Sequence, residues 1–168
     1  MSSGEASNFD RAMQELQRLI DEQERATYSP QVIKESHQPQ NMRRLQEPDA
    51  CAIVRGWCGD TMEFYLRMQD GTVAEATFMT DGCGPTVACG SRLTAMTSGL
   101  AVQEAQEILP DDLLQALGGL PKESLHCAHL AVTTLHEALA GYERRCASLQ
   151  AAETVAKQAG DLMRQGYH

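Results

Sequence analysis

The sequence predicts an α+β fold in which a three-stranded antiparallel sheet packs against helices. A block from residue 50 to 80 reads as strands: Cys51-Ala52-Ile53-Val54, Met62-Glu63-Phe64-Tyr65-Leu66-Arg67-Met68 and Thr72-Val73-Ala74-Glu75-Ala76-Thr77-Phe78. Asp70-Gly71 between the last two is a hairpin signal, because both residue types tolerate the positive φ a tight turn requires. The chain on either side of this block is punctuated for helices. The three strands can form a meander, with Cys58 to Asp60 in the turn joining the first two.

Phe9, Met13, Leu16, Leu19 and Ile20 recur at helical spacing among charges, which makes an amphipathic opening helix over Phe9 to Glu24. A short second helix is expected from Pro30 to about Glu35, with Ser29 as its cap. The polar run His37 to Pro48 reads as a mobile loop. After the strands, Pro85 suits a first helical turn and Gly99 suits a stop, which bounds a helix bearing Val87, Leu93 and Met96. Short helices follow around Val102 to Ile108 and Asp111 to Leu117, then the break Gly118-Gly119-Leu120-Pro121. A longer helix is expected from about Cys127 to Arg144, with Ala131, Leu135, Ala138, Leu139 and Tyr142 on one stripe.

Composition excludes several classes of function. A chain of 168 residues, 42% hydrophobic, can bury one sizeable core. The net charge of −9 opposes binding to a phosphate backbone, so nucleic acid is not an expected partner. Nothing approaches the roughly 18 unbroken apolar residues of a membrane span. The opening Met1-Ser2-Ser3-Gly4-Glu5 has neither a basic region nor an apolar one, and a cytoplasmic location is expected. At this length a core does not need disulfides, so six cysteines in a reducing compartment read as metal or thiol chemistry.

Three of those cysteines sit in small polar clusters: Cys58-Gly59-Asp60, Gly82-Cys83-Gly84-Pro85 and His126-Cys127-Ala128-His129. Thiolates bind soft or borderline metals, neighbouring glycines let a bulky centre approach the backbone, and Asp60 and His126 offer harder donors. Cys83 and Cys127 each fall at a helix start, where the dipole favours an anion and should lower the thiol pKa. An exposed metal or iron–sulfur site is the first expectation.

These residues resemble the IscU/NifU-type iron–sulfur cluster assembly scaffolds. The likeness rests on Ala76-Thr77-Phe78 through Asp81-Gly82-Cys83-Gly84, on Cys58-Gly59-Asp60 and on Leu125-His126-Cys127. It runs from about Tyr28, where a Tyr-Ser-x-x-Val-Ile segment begins, to Tyr142. The resemblance implies helices covering the three-stranded sheet, with the cluster site at one exposed end. It implies a scaffold or carrier rather than an enzyme, which takes sulfur from a cysteine desulfurase and builds a transient [2Fe–2S] or related cluster. The cluster then passes to acceptor apo-proteins such as ferredoxin. Cys58, Cys83 and Cys127 would be ligands, Asp60 and His126 would compete for the remaining position, and Cys127 is the candidate to receive persulfide sulfur. Zinc competes for the same thiolates.

The expected organisation is a helical extension over residues 1–27, a scaffold domain over 28–145 and a helical tail over 146–168. The tail carries Leu149, Val155 and Leu162, and the two additions are candidates for forming a homodimer or docking a desulfurase. Leu120-Pro121-Lys122-Glu123-Ser124 stands where the family has a Leu-Pro-Pro-Val-Lys run that a chaperone recognises. Two other readings remain: a zinc-dependent sulfurtransferase of the SufU type, and a structural zinc or protein-interaction module.

Ordinary roles fit the other residues of these types. Cys51 and Cys146 read as small buried hydrophobes. Cys89 lies about 240° round an ideal helix from Cys83, so it should be buried off the ligand face. His129 reads as a surface histidine and His136 as its neighbour on the same exposed face. Asp81 reads as a cap for the following helix, and Met62, Met68, Met79 and Met96 as core.

Overall fold

Asp70 and Gly71 both adopt positive φ, 51° and 74°, and this tight turn joins strands β2 (Thr61–Gln69) and β3 (Thr72–Thr80). Strand β1 (Ala50–Arg55) pairs antiparallel with β2, which gives the sheet order β1-β2-β3. The register sets Val54 opposite Met62 and Phe64 opposite Phe78, with an irregularity between Arg67 and Met68. Alternation along β2 sends Met62, Phe64 and Leu66 into the core and leaves Glu63, Tyr65 and Arg67 on the outer face. The three-stranded meander is the expected one.

The computed structural model describes residues 3–165, with side chains described from residue 8 to 159. Helices α1 (Ser3–Thr27) and α2 (Pro30–His37) precede the sheet. Ser29 caps α2 as expected, its Oγ accepting from the Val32 N–H at 3.1 Å, while its own hydroxyl donates to the Leu117 carbonyl. After β3 come α3 (Gly84–Thr97), α4 (Val102–Gln106) and α5 (Pro110–Leu117). Gly118, in the left-handed region at φ 76°, ends α5. A 3-10 turn over Lys122–Ser124 then leads into α6 (Leu125–Gln165).

Helices α3 and α6 cover the inner face of the sheet. Ala88, Cys89 and Leu93 from α3 join Ala128, Ala131, Leu135, Ala138 and Leu139 from α6 around Phe64, Leu66 and Phe78, all fully buried. Small residues on both helices allow close approach. At Gly90 the approach is extreme, because a Cβ there would fall 2.3 Å from the Phe78 ring. Helix α3 can therefore lie where it does only because residue 90 has no side chain.

Several elements differ from expectation. Residues 38–49 are irregular, but they are anchored rather than loose. The Gln40 N–H donates to Ser91 Oγ at 2.8 Å, the Phe78 N–H donates to the Asn41 carbonyl at 3.1 Å, and Arg44 forks onto Glu63 at 2.8 Å. Helix α6 does not stop near Arg144 but continues unbroken to Gln165. Its later part bears Leu149 and Val155, 59% and 64% exposed, while the Leu162 side chain lies outside the described residues. The apolar row of α1 is likewise open, from 45% at Ile20 to 67% at Phe9. Among the described residues no helix is long and apolar enough to cross a membrane.

Cys51 is exposed, because its position in β1 points to the outer face while Ala50 and Ala52 point inward. Cys146 is half-buried. His136 is not exposed as expected: it is half-buried and its Nε2 has no protein partner. His129 is exposed, as expected. Met62 is core, whereas Met68 and Met96 pack at its margin.

The Gly90 contact gives a first test. Gly90→Ala should cost about 3 kcal/mol or more through overpacking against Phe78, read as a lowered midpoint in urea unfolding. Adding Phe78→Leu should recover part of the loss.

Candidate metal and sulfur site

Three elements converge at one end of the sheet. The turn between β1 and β2 closes on itself, with the Gly56 N–H donating to the Asp60 carbonyl at 2.8 Å and the Gly59 N–H to the Gly56 carbonyl at 3.0 Å. Gly59 sits at φ 98°, a conformation other residues rarely adopt. This turn presents Cys58 and Asp60. A Cβ on Gly56 would lie 3.3 Å from Leu130, so the turn rests against the early part of α6.

Cys83 is the N-cap residue of α3, with extended backbone and no capping bond from its side chain. The role expected of Asp81 is thus not the one it plays. Its carboxylate accepts from the Thr61 N–H at 2.6 Å, which ties the start of β2 to the end of β3. Cys127 lies in the first turn of α6, beside His126. His126 Nε2 is 3.6 Å from Cys127 Sγ, and its ring meets the exposed Trp57 ring at a centroid distance of 5.0 Å.

One hydroxyl joins these parts. Thr86 Oγ1 is 2.9 Å from Asp60 Oδ2, 3.3 Å from Cys127 Sγ and 3.5 Å from Cys83 Sγ. Asp60, Cys83 and Cys127, from three separate elements, thus share a single contact point. Gly82 makes room for it, since a Cβ at that position would stand 2.6 Å from Asp60 Oδ2 and 2.7 Å from the Thr86 Cβ. Cys58 belongs to the same turn as Asp60 and is exposed, as is Cys83. Among the described residues no three Cys, His, Asp or Glu side chains are already arranged to hold a metal ion. The side chains of Asp60, Cys83 and Cys127 are gathered around Thr86 without forming such a set.

Cys127 departs from the expectation of an exposed, activated thiol. It is 1% exposed, and burial pushes its pKa up to about 11, with the neighbouring Thr86 hydroxyl opposing the rise and Cys83 adding to it. Burial is the largest cause, so the thiol is raised here rather than lowered as its place at a helix start predicts. Cys89 is buried as expected, and its thiol is raised well above the ordinary value by burial and then by the neighbouring Cys127 and Cys83.

Thr86 and Trp57 did not stand out from residue type alone. Thr86 follows the Cys83 N-cap by three residues, the separation at which side chains meet across a first helical turn, and that spacing could have found it. Trp57 is the single tryptophan of the chain and directly precedes Cys58.

Residues 27–149, well over half of the chain, match the model of the NifU-like N terminal domain. The chain belongs to the IscU/NifU family. It is 34% identical over 119 residues to the iron-sulfur cluster assembly scaffold protein IscU 1 of Archaeoglobus fulgidus, covering 70% of this chain and 78% of that one. It is 31% identical over 123 residues to the IscU scaffold of Escherichia coli, covering 70% of this chain and 95% of the relative. In three dimensions it resembles a NifU-like protein (N-terminal) from Brucella abortus, with a TM-score of 0.56 at 20% identity over 69% of this chain and 94% of that one. A putative SUF-system scaffold from Fervidobacterium islandicum matches equally, with a TM-score of 0.56 at 16% identity over 67% and 96% of the two chains. These likenesses bear out the α+β fold of the IscU/NifU type.

The close approach at Gly82 is testable in this IscU/NifU-family chain. Gly82→Ala should force Asp60 off Thr86 and destabilise the fold by about 1–3 kcal/mol. Gly84→Ala, whose Cβ would meet Ser36 at an ordinary 3.5 Å, should unfold in urea near the wild-type midpoint.

Proposed function

We propose that this chain is an iron–sulfur cluster assembly scaffold that builds a transient cluster, of the [2Fe–2S] kind, on Cys58, Cys83 and Cys127 and passes it to acceptor apo-proteins such as ferredoxin. The observation that supports this most directly is the meeting of Asp60, Cys83 and Cys127 at Thr86. Three thiolates supply affinity for iron, and a harder donor at the fourth position supplies a bond weak enough to open. Asp60 and His126 are the two candidates for it.

The cluster is cargo, and the arrangement suits cargo. Cys58 and Cys83 are open to solvent where iron and sulfur arrive, whereas Cys127 is covered. Sulfur would come from a cysteine desulfurase, with Cys127 as the persulfide acceptor. Its thiol is covered, with Thr86 Oγ1 at 3.3 Å and His126 Nε2 at 3.6 Å from the sulfur, so local movement would precede the handing over of a persulfide. A structural zinc module fits less well, because the glycines flanking the cysteines and the carboxylate of Asp60 suit an open, labile site better than a closed tetrahedral one.

Anaerobic incubation of the apo-protein with iron, cysteine and a cysteine desulfurase should develop charge-transfer absorption bands. Trp57 emission should fall in parallel, since the tryptophan adjoins the first ligand. Cys58→Ser, Cys83→Ser and Cys127→Ser should each reduce the bands severely, while Cys146→Ser should leave them unchanged. A colourless protein holding zinc would support the sulfurtransferase or structural readings instead. Asp60→Ala should retain a reconstituted cluster longer against a chelator, and equal or faster loss would contradict the role given to Asp60.

A further inference from the structure

Thr86 is fully buried at the third position of α3, yet its hydroxyl faces three donor atoms of the site. A hydroxyl has one hydrogen and two lone pairs. A carboxylate only accepts, so the bond to Asp60 at 2.9 Å uses that hydrogen. The sulfur of Cys127 at 3.3 Å is then left to meet the hydroxyl oxygen, either as a thiol donor or in plain contact. Asp60 and the Cys127 sulfur cannot both receive the Thr86 hydrogen.

We propose that Thr86 is a positioning residue that latches the Cys58–Asp60 turn onto α3 in the cluster-free protein and transfers its hydrogen bond to the Cys127 sulfur when Asp60 turns toward incoming metal. The inference rests on the scaffold reading for its second half, whereas the latch concerns the apo-protein alone. Rotation about the Cβ–Oγ bond is enough to redirect the hydrogen, with no movement of α3. Once redirected, it supports the sulfur as an anionic ligand, because hydrogen bonds to charged acceptors are the stronger ones. The proton that Cys127 loses on binding metal goes to solvent, and Thr86 keeps its own. Loading the site thus exchanges one hydrogen bond for another, and the turn is released at the moment its two donors are needed.

The shape of the site supports a specific rather than an incidental contact. Gly82 is the residue whose side chain would displace both ends of the Thr86–Asp60 bond. The Cys58–Asp60 turn is otherwise held by its own two backbone bonds, by packing against Leu130 and by the contact of the neighbouring Trp57 ring with His126. Removing the hydroxyl should therefore free the turn without unfolding the body.

Thr86→Val keeps the shape and removes the hydroxyl, while Thr86→Ser keeps the hydroxyl. In the apo-protein, hydrogen exchange at the Gly56 amide, which the Asp60 carbonyl holds, reports the latch. Loss of one hydrogen bond should raise exchange about fivefold in Thr86→Val, with Thr86→Ser within about twofold of wild type. The reconstituted cluster should be lost to a chelator faster from Thr86→Val than from Thr86→Ser. Wild-type exchange and cluster lifetime in Thr86→Val would overturn the inference, as would a Thr86→Ser protein that behaves like Thr86→Val. A wild-type protein that takes up no cluster would overturn the scaffold reading and the transfer of the hydrogen bond to Cys127 with it. The latch would then stand or fall on the Gly56 amide.

Discussion

Helix α3 is held against the sheet by a contact that tolerates no side chain at residue 90, and the site depends on that contact. With the Gly90 backbone on the Phe78 ring, the N-terminus of α3 comes to the end of β3, where Cys83 occupies the N-cap position. Thr86, one turn further in, then reaches across to Asp60 and Cys127. Interiors are close-packed, so a shift of a fraction of an ångström in α3 would be transmitted to its first turn. The core and the chemistry are in this sense a single arrangement.

The second constraint is the close approach of small residues at the site itself. Gly82 and Gly59 do different work: Gly82 clears space for the Asp60 carboxylate, and Gly59 allows the left-handed backbone that folds the turn. The result is a graded set of donors. Cys58 and Cys83 are exposed, Asp60 and His126 are half-buried, and Cys127 is covered with a raised pKa. A site of this kind is open on one side and covered on the other, which suits the building and release of a centre proposed for it.

Most of the architecture was legible in the sequence. Strand alternation, Asp70-Gly71 and the Ser29-Pro30 cap are local signals, and each holds because it is satisfied by near neighbours. The three cysteine motifs are local clusters in the sequence, whereas the meeting of Asp60, Cys83 and Cys127 at Thr86 is not. Features that depend on tertiary placement were not. Cys51 lies outward because of the β1–β2 register, His136 turns inward on α6, and Cys127 is buried, with Thr86 of α3 against its sulfur. Asp81 was free to tie strands because Cys83 itself occupies the cap position. The anchoring of residues 38–49 by Ser91 and Glu63 involves partners 19 to 51 residues away in sequence, and no local pattern announces it.

On the proposed function, a cluster formed on this chain is built to leave. The most direct measurement follows a reconstituted cluster during incubation with an apo-ferredoxin, recording loss from this chain and gain by the acceptor on the same time course. Matching rates, with the acceptor gaining one cluster for each one lost, are the expected result. A centre that stays on this chain while the acceptor remains apo would contradict the account.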